Sequence, residues 1–193
     1  MAEILLARHG ETDWNRESRF QGHADPPLNA LGRAQAAELA TTLADEELAA
    51  VYSSPLQRAL ETARVVARPH NLSPLALEGL REVDVGSWEA LTRDEVEQRY
   101  PEQFERWLAY GQGWEDGETY EQMGQRVIAA LHELAVRHDG ERIAAVTHGG
   151  PIRAALARAE GITHMEARRN GPVIGNCFVA RFSSNGADFR RVG

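Results

Sequence analysis

Short, uninterrupted apolar runs alternate along this chain with longer stretches of helical period. Ile4-Leu5-Leu6-Ala7 is such a run, and it ends in Arg8-His9-Gly10, which predicts a buried strand followed by a turn. Ala50-Val51-Tyr52-Ser53 and Arg142-Ile143-Ala144-Ala145-Val146-Thr147 read the same way, the second ending in His148-Gly149-Gly150. Between the first two strands, Asn29 is placed to cap a helix from Ala30 to about Leu43, with Leu31, Leu39 and Leu43 on one face. Ser54-Pro55-Leu56-Gln57 has the form of a capping box with proline at the first helical position, predicting a helix to about Arg68. Thr119 with Gln122 opens a long helix that buries Met123, Val127, Leu131 and Leu134, and a further helix is expected from about Pro151 to Glu160. Asn176 to Phe182 and Phe189 to Val192 flank Ser184-Asn185-Gly186, the pattern of a hairpin.

Strands alternating with long helices predict an α/β fold, a three-layer α/β/α sandwich around a mostly parallel sheet. The 193 residues, without repeats or low-complexity segments, suit one domain. The stretch from about 86 to 118 differs in character. Trp88, Tyr100, Trp107, Tyr110 and Trp114 sit there among acidic and polar residues. Thr92 with Glu95 starts a helix that Tyr100-Pro101 breaks. This stretch reads as a small helical insertion over the edge of the sheet that carries the polar motifs. Packing accounts for most of its rings, but Trp107, Tyr110 and Trp114 are candidates to line the part of the site that sets substrate preference.

Composition narrows the function. Hydrophobic residues are 42% and charged residues 26%, ordinary for a soluble protein, and the apolar runs are too short to cross a membrane. Met1-Ala2-Glu3-Ile4-Leu5-Leu6 carries no basic leader, so a cytoplasmic location is expected. The net charge of −8 argues against a nucleic-acid partner. All 21 basic residues are arginine, so an anionic substrate would need a local gathering of Arg and His to overcome the overall repulsion. The lone cysteine, Cys177, opens the apolar run Cys177-Phe178-Val179-Ala180 and reads as a small core residue on a strand. His23, His70, His132, His138 and His164 stand in contexts that suggest surface or structural roles, and no cluster has metal-ligand spacing.

Three polar motifs share one address: Arg8-His9-Gly10, Ser53-Ser54-Pro55 with Arg58, and His148-Gly149-Gly150 each follow a predicted strand. In a parallel sheet those ends lie along one edge, where ligands bind in open α/β folds. Two of the motifs lead into helix N-termini, which favour an anion. Two histidines and two arginines on such an edge suit a phosphoryl group.

Leu6-Ala7-Arg8-His9-Gly10-Glu11-Thr12-Asp13-Trp14-Asn15 resembles the signature of the histidine phosphatase superfamily, which includes the cofactor-dependent phosphoglycerate mutases. The likeness continues in the family's order through Gln21-Gly22, Pro27-Leu28, Leu31-Gly32, Ser53 to Ala59, Leu80-Arg81-Glu82, Gly86-Ser87-Trp88-Glu89 and Thr147 to Gly150, nearly the whole chain. The resemblance implies that His9 is the nucleophile and that Arg8, Arg58 and His148 neutralise the phosphoryl oxygens. It implies further hydrogen bonds from Asn15, Gln21 and the backbone near Gly22 and Gly149. Glu82 would donate a proton to the leaving oxygen and then deprotonate water. These roles need neither metal nor cofactor.

The resemblance implies a phosphatase of small organic phosphomonoesters acting through a phosphohistidine. Mutases of the family carry Glu-Arg-His-Tyr-Gly near the acid, whereas this chain has Glu82-Val83-Asp84-Val85-Gly86, similar to the phosphatase branch. Phosphoglycerate mutase is the alternative, and a non-catalytic binding module is a third reading that the retained His9, Arg8, Arg58, Glu82 and His148 disfavour. Relatives occur as monomers and as dimers, which leaves a homodimer open.

Overall fold

The computed structural model describes residues 1–192. Six strands form one sheet in the order β3-β2-β4-β1-β5-β6. In chain order these are β1 (Ala2–Arg8), β2 (Leu48–Ser53), β3 (Leu75–Ala76), β4 (Arg142–Thr147), β5 (Val179–Ser184) and β6 (Phe189–Arg191). The first four strands are mutually parallel, β5 adds antiparallel to the free side of β1, and β6 adds antiparallel to β5. β1 therefore lies inside the sheet, with Arg8 opposite Thr147 of β4 and Ala7 opposite Val179 of β5.

Alternation along the strands divides the core into two layers. Leu5, Ala7, Val51, Ala144 and Val146 face α2 (Ala30–Thr42) and α3 (Gln57–Ala67) and pack on Leu39, Ala59, Ala63 and Val66. Ile4, Leu6, Tyr52, Ile143 and Ala145 face the other way. They meet α6 (Tyr120–Arg137) and α7 (Gly149–Glu160) through residues including Met123, Val127, Leu131 and Ile152. This is the expected three-layer sandwich around a mostly parallel sheet. The remaining helices are α1 (Asp13–Arg16), α4 (Arg93–Arg99), α5 (Pro101–Tyr110) and α8 (His164–Asn170). Among the described residues no helix is long and apolar enough to cross a membrane.

Local chemistry explains most boundaries. Asn29 accepts the Gly32 N–H at the start of α2, and Thr92 with Glu95, like Thr119 with Gln122, forms a reciprocal capping box. Pro101 ends α4 and begins α5, as expected. The helix start after β2 differs from the sequence reading. Leu56 is extended and α3 begins at Gln57, whose N–H is capped from a distant loop by the Asp25 carboxylate at 2.6 Å. Ser54 is two residues too early to cap it, and its hydroxyl serves elsewhere. Leu31 is 53% exposed, since only Leu39 and Leu43 of that triad reach the sheet. α7 begins two residues before Pro151, and the strand expected from Asn176 begins only at Val179. Cys177 is not on a strand: it takes a left-handed φ of 57° in the turn that enters β5.

The segment from Gly86 to Glu118 is organised by an aromatic cluster. Trp88 is fully buried, with Phe20, Phe104, Trp107 and Trp114 at ring separations of 5.2 to 6.4 Å. Edge-on contacts predominate, as the ring quadrupoles favour. Trp88 Nε1 donates to Gln103 Oε1 and Trp114 Nε1 to the Glu118 carbonyl, so these two rings are packing elements.

Candidate active site

A pocket of about 320 Å³ opens at the carboxyl edge of the parallel strands, under α4, α5 and α8. Arg8, His9, Asn15, Gln21, Gly22, Arg58, Glu82 and Gly149 all border it, so the edge argument brings together residues from four separate segments. His148 lies behind His9, fully buried, with ring centroids 5.1 Å apart and edge to face.

His9 is held on every side. Its N–H donates to the Thr147 carbonyl across the β1–β4 ladder. Its carbonyl accepts from Asn176 Nδ2 at 3.1 Å and from the Cys177 N–H at 3.3 Å. Nδ1 lies 2.6 Å from the Gly10 carbonyl, which can only accept, so Nδ1 carries the proton and Nε2 keeps its lone pair. Burial, reinforced by the positive charges of Arg58 and Arg8, holds the imidazole well below the ordinary histidine range. His9 is therefore neutral at pH 7.

His148 has the complementary arrangement. Nε2 is 2.8 Å from the Ser54 hydroxyl, whose oxygen also accepts the Leu56 N–H at 3.3 Å. The hydroxyl hydrogen is then free to go to Nε2, which leaves the proton on Nδ1, a buried atom with no partner among the described residues. Burial and the neighbouring cations keep this ring neutral too. Arg58, on the first turn of α3, is fully buried. It donates to the carbonyls of Ala24 and Gly22, at 2.7 and 2.9 Å. Burial lowers it to about 10, still charged at neutral pH. Gly22 offers its carbonyl from a left-handed φ of 51°, where a Cβ would strike Glu89 and Val85. Arg8 donates to the Ile174 carbonyl at 2.8 Å, and burial lowers it as well.

Glu82 reaches the pocket from a loop clamped by α6. Arg126 donates to the carbonyls of Gly79, Arg81 and Glu82 and pairs with Glu118 at 2.6 Å. The Glu82 carboxylate accepts from the Val83 N–H and, at 3.3 Å, from the Gly150 N–H in the first turn of α7. A side chain at Gly150 would collide with that carboxylate. Asn15 accepts the Thr12 N–H and contacts Asn176, while Gln21 Oε1 is buried without a partner among the described residues.

Of the three aromatic candidates, Trp107 lines the pocket. Tyr110 points away and is 76% exposed, and Trp114 is enclosed in the aromatic cluster. His164, expected at the surface or in a structural role, is placed on the wall of the pocket. It stacks on Tyr120 at 4.2 Å, and burial beside Arg153 and Arg168 pushes it down to about 4. His138 does have a structural role, joining the Tyr52 hydroxyl to Glu141. Sequence reasoning gave Asn176, Arg126, Arg153 and Arg168 no place in the site, and read Ser54, in a motif that the edge argument already brought there, only as a helix cap. Arg153 follows His148-Gly149-Gly150 by about one helical turn, as Arg58 follows its own strand, and His164 and Arg168 share a helix face at i, i+4.

The family model of the histidine phosphatase superfamily (branch 1) matches residues 4–192. The chain belongs to the histidine phosphatase superfamily. It is 34% identical over 189 residues to phosphoserine phosphatase 1 of Hydrogenobacter thermophilus, covering 88% of this chain and 90% of that protein. A metal-independent phosphoserine phosphatase of Arabidopsis thaliana is 39% identical over 164 residues, covering 82% of this chain and 68% of the relative. Among solved structures, Bacillus stearothermophilus YhfR superposes with a TM-score of 0.90 at 33% identity, over 99% of this chain and 95% of that one. The chain is a phosphoric monoester hydrolase of the histidine phosphatase family.

Proposed function

We propose that this chain, read as one domain with residues 86–118 as a cap over its site, hydrolyses small organic phosphomonoesters through a phosphohistidine on His9. One observation carries the reading. Arg8 Nε, Arg58 Nε and His148 Nδ1 are buried donors with no partner among the described residues; Arg8 and Arg58 share the pocket wall with His9, and the His148 ring centroid is 5.1 Å from that of His9. Unpaired buried donors are costly, and a phosphoryl group placed against His9 would satisfy all three.

In the first step Nε2 of His9 attacks phosphorus and the ester P–O bond breaks. Glu82, protonated, gives its proton to the departing oxygen, which leaves as an alcohol. Negative charge on the equatorial oxygens is met by Arg8, Arg58 and His148 Nδ1–H, already positioned before the reaction. In the second step the Glu82 carboxylate takes a proton from water, the hydroxide oxygen bonds to phosphorus, and the P–N bond breaks. Inorganic phosphate departs and both residues regain their starting states. Gln21, Asn15 and the N–H of Gly149 are assigned supporting hydrogen bonds to the phosphate.

Replacing the nucleophile tests this. His9→Ala is expected to lower turnover of phenyl phosphate to background and to abolish an acid-labile, base-stable phosphoprotein trapped by rapid quench from the unaltered chain. A trapped phosphoprotein in the variant, or turnover within tenfold of the parent, would exclude His9 as nucleophile.

A further inference from the structure

Beyond the phosphoryl end, the same pocket holds cations that the reaction does not use. Arg153 of α7 and Arg168 of α8 border it together with Trp107, Tyr120 and His164. The Arg168 guanidinium carbon lies over the Trp107 ring, 3.9 Å from its centroid, which holds the charge against the indole face. Its Nη1 is buried with no hydrogen-bond partner among the described residues, and so is Arg153 Nε. Neither arginine has a carboxylate within ion-pair distance among those residues, although Arg126 and Arg142 elsewhere are fully paired. Arg93 also faces the Trp107 ring, at 5.2 Å, and Arg19 on the rim is occupied by Glu17 and Glu95.

Holding Arg153 and Arg168 together, half-buried and unpaired, is unfavourable unless something anionic comes between them. Of the neighbouring groups only Glu82 brings negative charge toward Arg153, and it does so from beyond ion-pair distance. His164 is neutral at pH 7, Tyr120 is raised by burial and stays protonated, and Glu82, the one carboxylate on the pocket wall, is engaged with the Val83 and Gly150 N–H groups. Arg153 is near enough to Arg8 for the two charges to interact, so the second cationic patch adjoins the phosphoryl end. A pocket of about 320 Å³ admits only a small ester across both.

We propose that Arg153 and Arg168 form a second anion subsite, and that the preferred substrates are small phosphomonoesters carrying another anionic group, a carboxylate or a second phosphate, a few bonds from the ester. This rests on His9 taking the phosphoryl group, since that sets which end of the substrate reaches the two arginines.

The test compares matched esters on the full chain. 3-Phosphoglycerate against glycerol 3-phosphate, and O-phosphoserine against O-phosphoethanolamine, each differ by a carboxylate. Propane-1,3-diol bisphosphate against propyl phosphate asks whether a second phosphate serves. The anionic member of at least one carboxylate pair, or of the bisphosphate pair, is expected to have the higher kcat/KM by roughly 10- to 100-fold, the range for hydrogen bonds to charged groups. Arg153→Gln and Arg168→Gln should each reduce that preference by about tenfold, mainly through KM, with circular dichroism confirming the fold. Preferences below twofold in all three pairs would overturn the subsite without reference to any variant. A preference retained by both variants would overturn it as well, placing recognition elsewhere. Phenyl phosphate separates the two levels of the reading. If it is turned over without discrimination among the pairs, only the subsite fails; if no ester is turned over, the phosphatase reading fails first.

Discussion

The two edges of the sheet treat the same side chain in opposite ways. At the amino edge Arg142 meets Glu3 and Glu46, at 2.7 and 2.6 Å, and Arg181 pairs with the same two carboxylates. At the carboxyl edge Arg8, Arg153 and Arg168 have no carboxylate within ion-pair distance among the described residues, and Arg58 has only Asp25 at 4.0 Å. Every one of these is an arginine in a chain of net charge −8, so acidic partners were abundant. Charges neutralised from within serve stability, and those left uncompensated around a concave surface are available to a ligand. The whole-chain charge conceals this, because the surplus of carboxylates lies outside the pocket.

That contrast can be broken by exchanging charge on either edge. Arg58→Gln removes a buried cation that the proposed mechanism sets against the phosphoryl group, and kcat/KM for phenyl phosphate should fall roughly 10²- to 10³-fold, as for loss of one preorganised donor. A fall below tenfold in a folded variant would mean that Arg58 only braces the loop at Gly22. Acid should expose the carboxyl edge next. His9, His148 and His164 are all held below the ordinary histidine value, chiefly by burial. The unfolded chain then binds more protons than the folded one, so stability is full above about pH 6.5 and declines as pH falls. For His164 the decline runs from about 6.5 to about 4 and amounts to on the order of 3 kcal/mol. Urea titrations across that range should show a shallower acid slope for His164→Gln than for the parent, and parallel slopes would contradict its neutral burial. The smallest effect belongs to the amino edge. Arg142→Gln should cost about 0.5–1 kcal/mol in urea denaturation and leave turnover unchanged, as expected of a partly exposed ion pair. A large loss of activity there would dissolve the distinction between the edges.

Much of the His9 end of the pocket could be read from sequence because it is built from contiguous motifs at strand ends. An apolar run followed by Arg8-His9-Gly10 and another followed by His148-Gly149-Gly150 needed only the parallel-sheet rule to be brought to one edge. Ser54 was misread because Ser-Pro-x-Gln looks the same locally whether the hydroxyl caps a helix or holds a histidine 94 residues away. The distant Asp25 decided it by taking the helix N–H. Cys177 was misplaced because an apolar residue next to an apolar strand gives no sign of a left-handed backbone. The far end was hardly legible. Arg153 and Arg168 look like ordinary solvated helix residues, and only the packing of α7 against α8, with Arg168 over Trp107, brings them to the pocket. Tyr110 and Trp114 had the composition of pocket aromatics, but Tyr110 ends α5 facing outward and Trp114 lies past that helix, packed on Trp88.

β1 is sewn to β4 on one side and β5 on the other, with His9 tied at its tip by Thr147, Asn176 and Cys177. The proposed nucleophile thus sits at the end of a strand paired on both sides, while α5 and α8, which carry Trp107 and Arg168, are short helices away from the sheet. Drift in those two helices can retune which ester is accepted without disturbing bond making and breaking, an arrangement in which new specificities are reachable by single steps.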